Sequence, residues 1–113
     1  MLPREQRLTT RQFQEVYQRG AVYPGRLVVL RTLPREEGPA RWGFAVGKKL
    51  VRGAPGRAKW RRRLRAVVAS MTVESADCVI TLRQAGLRAA LPQLYGEIAK
   101  LLDERPSTGR GAE

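Results

Sequence analysis

The chain has 113 residues, with 22 lysines and arginines against 10 aspartates and glutamates, no histidine and one cysteine, and a formal charge of +12. A chain of this length buries about two-thirds of its unfolded surface, enough for one modest core but not for two domains with a cleft between them. Lacking histidine and having one cysteine, it has no imidazole base, intramolecular disulfide or multi-thiolate zinc site. We therefore expect a polyanion-binding protein rather than a protein-borne catalyst.

The first predicted element is a helix that begins near Thr9, because Thr9 and Gln12 have the spacing of a capping box. Thr10 is a competing cap, and Gly20 is the predicted end. One face of this helix carries residues at i, i+3 and i+4, namely Phe13, Val16 and Tyr17.

Strands are predicted next, a short edge strand at 21–23, a longer one at 26–33 and a third at 41–48. Proline and glycine place a turn at 34–39 between the last two. Alternation along the third strand puts bulky side chains on one side and small residues on the other: Trp42, Phe44 and Val46 against Gly43, Ala45 and Gly47.

The second half of the chain predicts a helix at about 57–71, a strand at 77–82 and a helix that starts near Pro92. Helical spacing assigns to the core Trp60, Leu64, Val67, Val68, Met71, Leu94, Tyr95, Ile98, Leu101 and Leu102. Cys78 lies among β-forming residues and is expected to be a small buried hydrophobe. Residues 106–113 are rich in Gly, Ser and Pro and are expected to be a disordered tail after a single domain at 1–105.

The predicted order is therefore α-β-β-β-α-β-α, an α+β fold in which three helices pack on a small mixed sheet. The strand–helix–strand unit around the second helix implies a crossover, which the general rule would make right-handed. The N-terminal charges are followed by no apolar run, and no stretch of 18 apolar residues occurs, so we expect no signal peptide, no membrane partner and a reducing cytoplasm.

The charges are segregated along the sequence. No acid occurs between Gly38 and Val73, and ten cations in that stretch supply ten of the twelve net charges. A solvated helix face usually alternates in sign, so this segregation indicates one basic face. Its densest part is the second helix, with Arg57, Lys59, Arg61, Arg62, Arg63 and Arg65.

These cations repel one another, so a polyanion is needed to compensate them, and arginine can bind phosphate oxygens bidentately. A solvated basic helix is the alternative. Phe13 and Tyr17 are suited to stacking on unpaired bases, although their spacing alone favours core packing. Lys48, at the end of a strand beside the small residues, is equally consistent with a nucleic-acid backbone contact and with an ordinary strand-end charge.

Four segments together resemble the bacterial ribonuclease P protein component, over about residues 2–104. They are 13–20, 26–30, 43–49 and the arginine helix, with sequences FQEVYQRG, RLVVL, GFAVGKK and RAKWRRRLR. The sequence departs from the family pattern at Ala58 and Lys59, where Asn and Arg are usual, and at Gly47 and Gly53, where Ser and Asn are usual.

The resemblance implies an α/β sandwich with a left-handed crossover, contrary to the general rule. It also implies partnership with a catalytic RNA that removes the 5′ leader of precursor tRNA using Mg²⁺ held mainly by that RNA, with one protein per RNA. In the family the arginine helix faces the RNA subunit, and aromatics of the first helix form a leader cleft with the sheet. These roles fall on Arg57, Lys59, Arg61, Arg62 and Arg65 for the RNA, and on Phe13, Tyr17 and Lys48 for the leader.

The sequence thus predicts the RNA-binding subunit of an RNA-based endonuclease, with no catalytic or metal-binding residue of its own. Composition alone is equally consistent with a general or ribosome-associated RNA-binding protein. A protein-only nuclease is disfavoured because no carboxylate cluster is evident in the sequence.

Overall fold

The computed structural model describes residues 6–105, and the tail expected at 106–113 lies outside them. This part contains four strands and three α-helices with the predicted order and α+β class. The helices are α1 (Thr10–Arg19), α2 (Ala54–Ala69) and α3 (Leu91–Glu104), and a short 3-10 helix spans Gln84–Arg88. The strands are β1 (Ala21–Pro24), β2 (Val28–Pro34), β3 (Arg41–Ala45) and β4 (Ala76–Leu82).

The four strands form one mixed sheet in the order β1-β2-β4-β3. Strand β2 is antiparallel to both β1 and β4, whereas β3 runs parallel to β4 with Ala45 opposite Thr81. Since a parallel pair cannot be joined by a hairpin, α2 makes the predicted crossover between β3 and β4. The left-handed sense of that crossover stays a prediction of the family resemblance.

Strand alternation gives the sheet two different faces. Alternate residues of β4, such as Ile80, join the main core with Leu64 of α2 and Ile98 of α3. Trp42 and Phe44 belong to the same core, as their alternation predicts. Helix α1 contacts β2 and β4, and its Val16 is fully buried. The α2 and α3 side holds most of the core, and α1 covers part of the other side.

Helix α1 has the predicted capping box. The Thr9 side chain accepts a hydrogen bond from the Gln12 amide at 3.2 Å, and the Gln12 side chain accepts one from the Thr9 amide at 2.9 Å. Gly20 ends the helix as expected.

Two predicted boundaries are wrong. Helix α2 begins at Ala54, three residues early, because Gly53 adopts a positive φ of 64° and Pro55 occupies the first turn, where its missing N–H costs nothing. Strand β3 ends at Ala45 rather than at residue 48, because the chain turns after it. The amides of Leu50 and Val51 both donate to the Gly47 carbonyl, at 3.1 and 3.0 Å.

The predicted core position of Tyr95 is also wrong, since its side chain is 43% exposed. Helix α3 buries the narrower row Leu94, Ile98 and Leu101. Tyr95 lies about 100° around the helix from Leu94 and therefore at the edge of this buried face. Trp60 is partly buried against the core, and Cys78 is fully buried, which raises the pKa of its thiol to about 12 through desolvation.

Glu97 joins α3 to the turn before β2. One carboxylate oxygen accepts hydrogen bonds from the amides of Leu27 and Val28 at 2.7 and 2.9 Å, and the other accepts from the Arg26 amide at 3.2 Å. Three amide donors on one carboxylate make a charge-assisted tie between the helix and the sheet.

Candidate nucleic-acid interface

The six cations of α2 spread over the helix surface that the core leaves free. At 100° per residue they cover about 240° of the helix circumference, opposite the buried row that contains Leu64 and Val68. Arg57, Arg61 and Arg65 form the flank nearer β3, since the Arg65 guanidinium lies 5.6 Å from the centre of the Phe44 ring. Lys59 and Arg63 form the opposite flank, and Arg62 lies between the two.

No carboxylate of the described residues neutralises these cations. The ion pairs within 6–105 use Arg19, Arg35 and Arg41, none of which belongs to α2. Arg57 is partly engaged by its own backbone, because its guanidinium donates to the Val51 carbonyl at 3.0 Å. The helix therefore presents a positive surface that the described protein leaves unbalanced.

Arg65 is the most constrained member of this surface. Burial lowers the pKa of its guanidinium, and the positive charges of Arg7, Arg61 and Arg62 lower it further. Its Nε atom is buried without a hydrogen-bond partner. An anion placed among these four groups would relieve the repulsion. No local pattern in the sequence indicates Arg7, which reaches α2 only because its segment bridges to Trp42 at the sheet edge.

The two aromatic residues of α1 lie together over the sheet. The Phe13 and Tyr17 rings are stacked with centroids 5.3 Å apart, at an interplanar angle of 17°. A Cβ built on Gly43 would lie 2.7 Å from Phe13 Cδ2, so the ring rests directly on this glycine. Phe13 is half-buried, Tyr17 is 42% exposed, and both line a shallow depression of about 710 Å³. The pair therefore has both properties that its spacing left open, packing and exposure.

Two residues that sequence analysis missed complete this aromatic site. The Arg31 guanidinium lies 4.3 Å from the centre of the Tyr17 ring and donates to Thr81 Oγ1 at 3.2 Å. The Tyr17 hydroxyl and Thr81 Oγ1 are hydrogen-bonded at 3.0 Å. Arg31 and Thr81 are 50 residues apart, so only the register of β2 on β4 could have indicated them.

Lys48 is exposed in the turn after β3. Because Ala45 pairs with Thr81, this turn leaves the sheet at the end where Thr81 lies. Within residues 6–105 the hydrogen bonds and ring contacts of Phe13 and Tyr17 do not involve Lys48. Lys48 thus shares an end of the sheet with the aromatic site without being part of its packed cluster.

The protein has few groups suited to metal binding. Within the part of the chain that the structure describes, no three His, Cys, Asp or Glu side chains are placed to hold a metal ion. The most buried carboxylate is that of Asp77, and it is engaged by the Arg41 guanidinium at 2.7 and 2.8 Å. That contact raises the pKa of Arg41. No helix in residues 6–105 has the length and apolar character needed to cross a membrane.

The sequence matches the family model described as Ribonuclease P over residues 2–105. The chain belongs to the ribonuclease P protein family. The ribonuclease P protein component of Microcystis aeruginosa is 32% identical over 109 residues, covering 89% of this chain and 91% of the relative. That of Symbiobacterium thermophilum is 33% identical over 95 residues, covering 80% and 82%.

The fold agrees with this assignment. The ribonuclease P protein from Thermotoga maritima superposes with a TM-score of 0.77, covering 89% of this chain and 98% of that one, at 19% identity. As a ribonuclease P protein, the chain is the protein subunit of an RNA-based endoribonuclease in tRNA processing, and RNA is its partner.

Proposed function

We propose that α2 binds the catalytic RNA of ribonuclease P, while the cleft between α1 and the sheet binds the 5′ leader of precursor tRNA. The observation that carries the proposal is an arginine helix without carboxylate partners among the described residues, in the same small protein as an exposed aromatic stack on the sheet. The RNA-binding residues are Arg57, Lys59, Arg61, Arg62 and Arg65, to which we add Arg7. The leader-binding residues are Phe13, Tyr17 and Lys48, to which we add Arg31.

The role of α2 is charge neutralisation. Six cations on one helix repel each other, and a phosphate backbone offers negative charges at matching density. Arg61 and Arg65 would share phosphates with Arg7, whereas Arg57 contributes mainly by anchoring the start of the helix to the Val51 carbonyl. Neutralisation at this surface would also lower the repulsion between the catalytic RNA and its tRNA substrate.

The role of the cleft is to hold an unpaired strand in position. Stacking of a base on an aromatic ring is worth about 1–3 kcal/mol and does not depend strongly on the base. The Tyr17 ring is already covered on one side by Arg31 and contacts Phe13 on another, so the site is ordered before a ligand arrives. Such preorganisation reduces the entropy lost when the leader binds. Lys48 would contact the leader backbone at the end of the sheet.

Mg²⁺ belongs to the RNA in this proposal. The described carboxylates do not form a donor set for the ion, so no step is assigned to a protein-held metal. The protein would contribute substrate affinity and position, with one protein bound per RNA in the cytoplasm.

A reconstitution tests the proposal. The protein is added to a cognate catalytic RNA at low Mg²⁺, and the cleavage rate is measured for precursor tRNA with a full leader and with a leader of one nucleotide. We expect stimulation that is larger for the full leader, and Phe13→Ala should remove most of that difference. Absence of stimulation would favour a general RNA-binding protein, and cleavage by the protein without RNA would overturn the assignment.

A further inference from the structure

A second apolar surface lies on the side of α2 away from the leader cleft. Helices α2 and α3 leave between them a groove of about 400 Å³, lined by Ala66, Val67, Ser70, Leu91, Pro92 and Tyr95. Leu91 and Tyr95 are among the few large hydrophobic side chains that the described residues leave exposed, at 38% and 43%. The family functions assigned above make no use of this groove.

The charges beside the groove are positive. On α2, Lys59 and Arg63 precede Ala66 and Ser70 at intervals of three and four residues, so the four lie on one flank of the helix. The Arg63 guanidinium is held 4.6 Å from the centre of the Trp60 ring. None of the six residues that line the groove is acidic. An occupant with an apolar face and negative charge matches this arrangement.

We propose that the groove receives an unpaired nucleobase of the catalytic RNA, stacked on the Tyr95 ring with its phosphate next to Lys59 and Arg63. The proposal rests on the function proposed for α2, because one wall of the groove is that same helix. A base meets both requirements, since it has a flat apolar face and is attached to a phosphate. A protein partner would have to share α2 with the RNA, and the sequence at 106–113 has no large apolar side chain with which to fill the groove.

The test uses the full chain, the catalytic RNA and no tRNA. Tyr95→Ala should weaken binding of the RNA by about 5- to 150-fold, the range expected for one base stack. Tyr95→Phe should bind like the wild type, because it keeps the ring. Val22→Ala is the matched control, because Val22 is 51% exposed on the edge strand β1 and away from α2. Since Tyr95 is at the surface, thermal unfolding of all variants should agree.

The occupant is identified by photocrosslinking. With p-azidophenylalanine in place of Tyr95, irradiation of the reconstituted holoenzyme with precursor tRNA should attach the protein to the catalytic RNA at a single-stranded nucleotide. Attachment to the tRNA, to a second copy of the protein or to another protein would overturn the proposal, as would wild-type affinity of Tyr95→Ala. If Tyr95→Ala binds normally while Arg61→Ala with Arg65→Ala binds weakly, the proposed function stands and this inference fails. If neither change weakens binding, both fail.

Discussion

Gly43 provides a direct test of the aromatic site, because the Phe13 ring rests on it. Replacing Gly43 by Ala introduces a Cβ that would lie 2.7 and 2.9 Å from two atoms of that ring and 3.1 Å from Leu8 Cδ1. To regain an ordinary contact, the ring must move by about 0.7 Å, since carbon atoms pack at about 3.5 Å. Phe13 would then shift against Tyr17, with which it is stacked.

The expected cost has a stability part and a binding part. Overpacking of this kind lowers the free energy of unfolding by about 1–3 kcal/mol, which urea denaturation measures. Loss of about 1 kcal/mol of leader stacking would reduce the preference of the holoenzyme for precursor over mature tRNA about fivefold.

Gly47→Ala is the matched control, because no atom lies within 4 Å of the position that its new methyl group would take, and its φ is not positive. That variant should keep both stability and the preference for precursor tRNA. If Gly43→Ala behaves like Gly47→Ala in both assays, the Phe13 ring does not rest on Gly43 and the aromatic site is wrongly described.

Three further predictions concern charge, anchoring and the thiol. Arg61→Ala with Arg65→Ala should reduce the slope of log affinity for RNA against log salt by about 0.7 for each phosphate that the protein no longer binds, whereas Lys100→Ala should leave the slope unchanged. Glu97→Gln should lower the free energy of unfolding in urea by about 1–3 kcal/mol, because a neutral amide replaces the carboxylate that holds three backbone amides, and equal stability would refute this tie. Cys78 should resist alkylation at pH 8 in the folded protein and react in urea, because its raised pKa, about 12, leaves almost no thiolate, and rapid native labelling would contradict its burial.

Local sequence signals predicted the elements of the fold and the basic helix. The Thr9 and Gln12 capping box and the alternation of Trp42 with Phe44 are local patterns, and the structure has both. The wrong boundaries lie where backbone conformation decides, at Gly53 and after Ala45. Periodicity overestimated the width of the buried face of α3, because the neighbouring elements cover Leu94 and leave Tyr95 open.

The candidate site was predicted only in part, for a different reason. Phe13 and Tyr17 are one helical turn apart, so their shared face is visible in the sequence. Arg31 and Thr81 join them through strand register, and Arg7 approaches Arg65 through its bridge to the sheet edge. Interactions between residues this far apart have no local signature, and the sequence therefore indicates the aromatic and cationic groups without the residues that orient them.

The position of β4 has a consequence for how the chain is made. This strand is the last to be synthesised, yet it lies between β2 and β3, which have no pairing with each other. Until residues 76–82 leave the ribosome, β2 and β3 each have an open edge that invites pairing with other chains. The helix that links β3 to β4 carries six like charges, so a nascent chain at this stage is both unfinished and strongly cationic. Closure of the sheet, and with it the orientation of Thr81 toward Tyr17, must await the final third of translation.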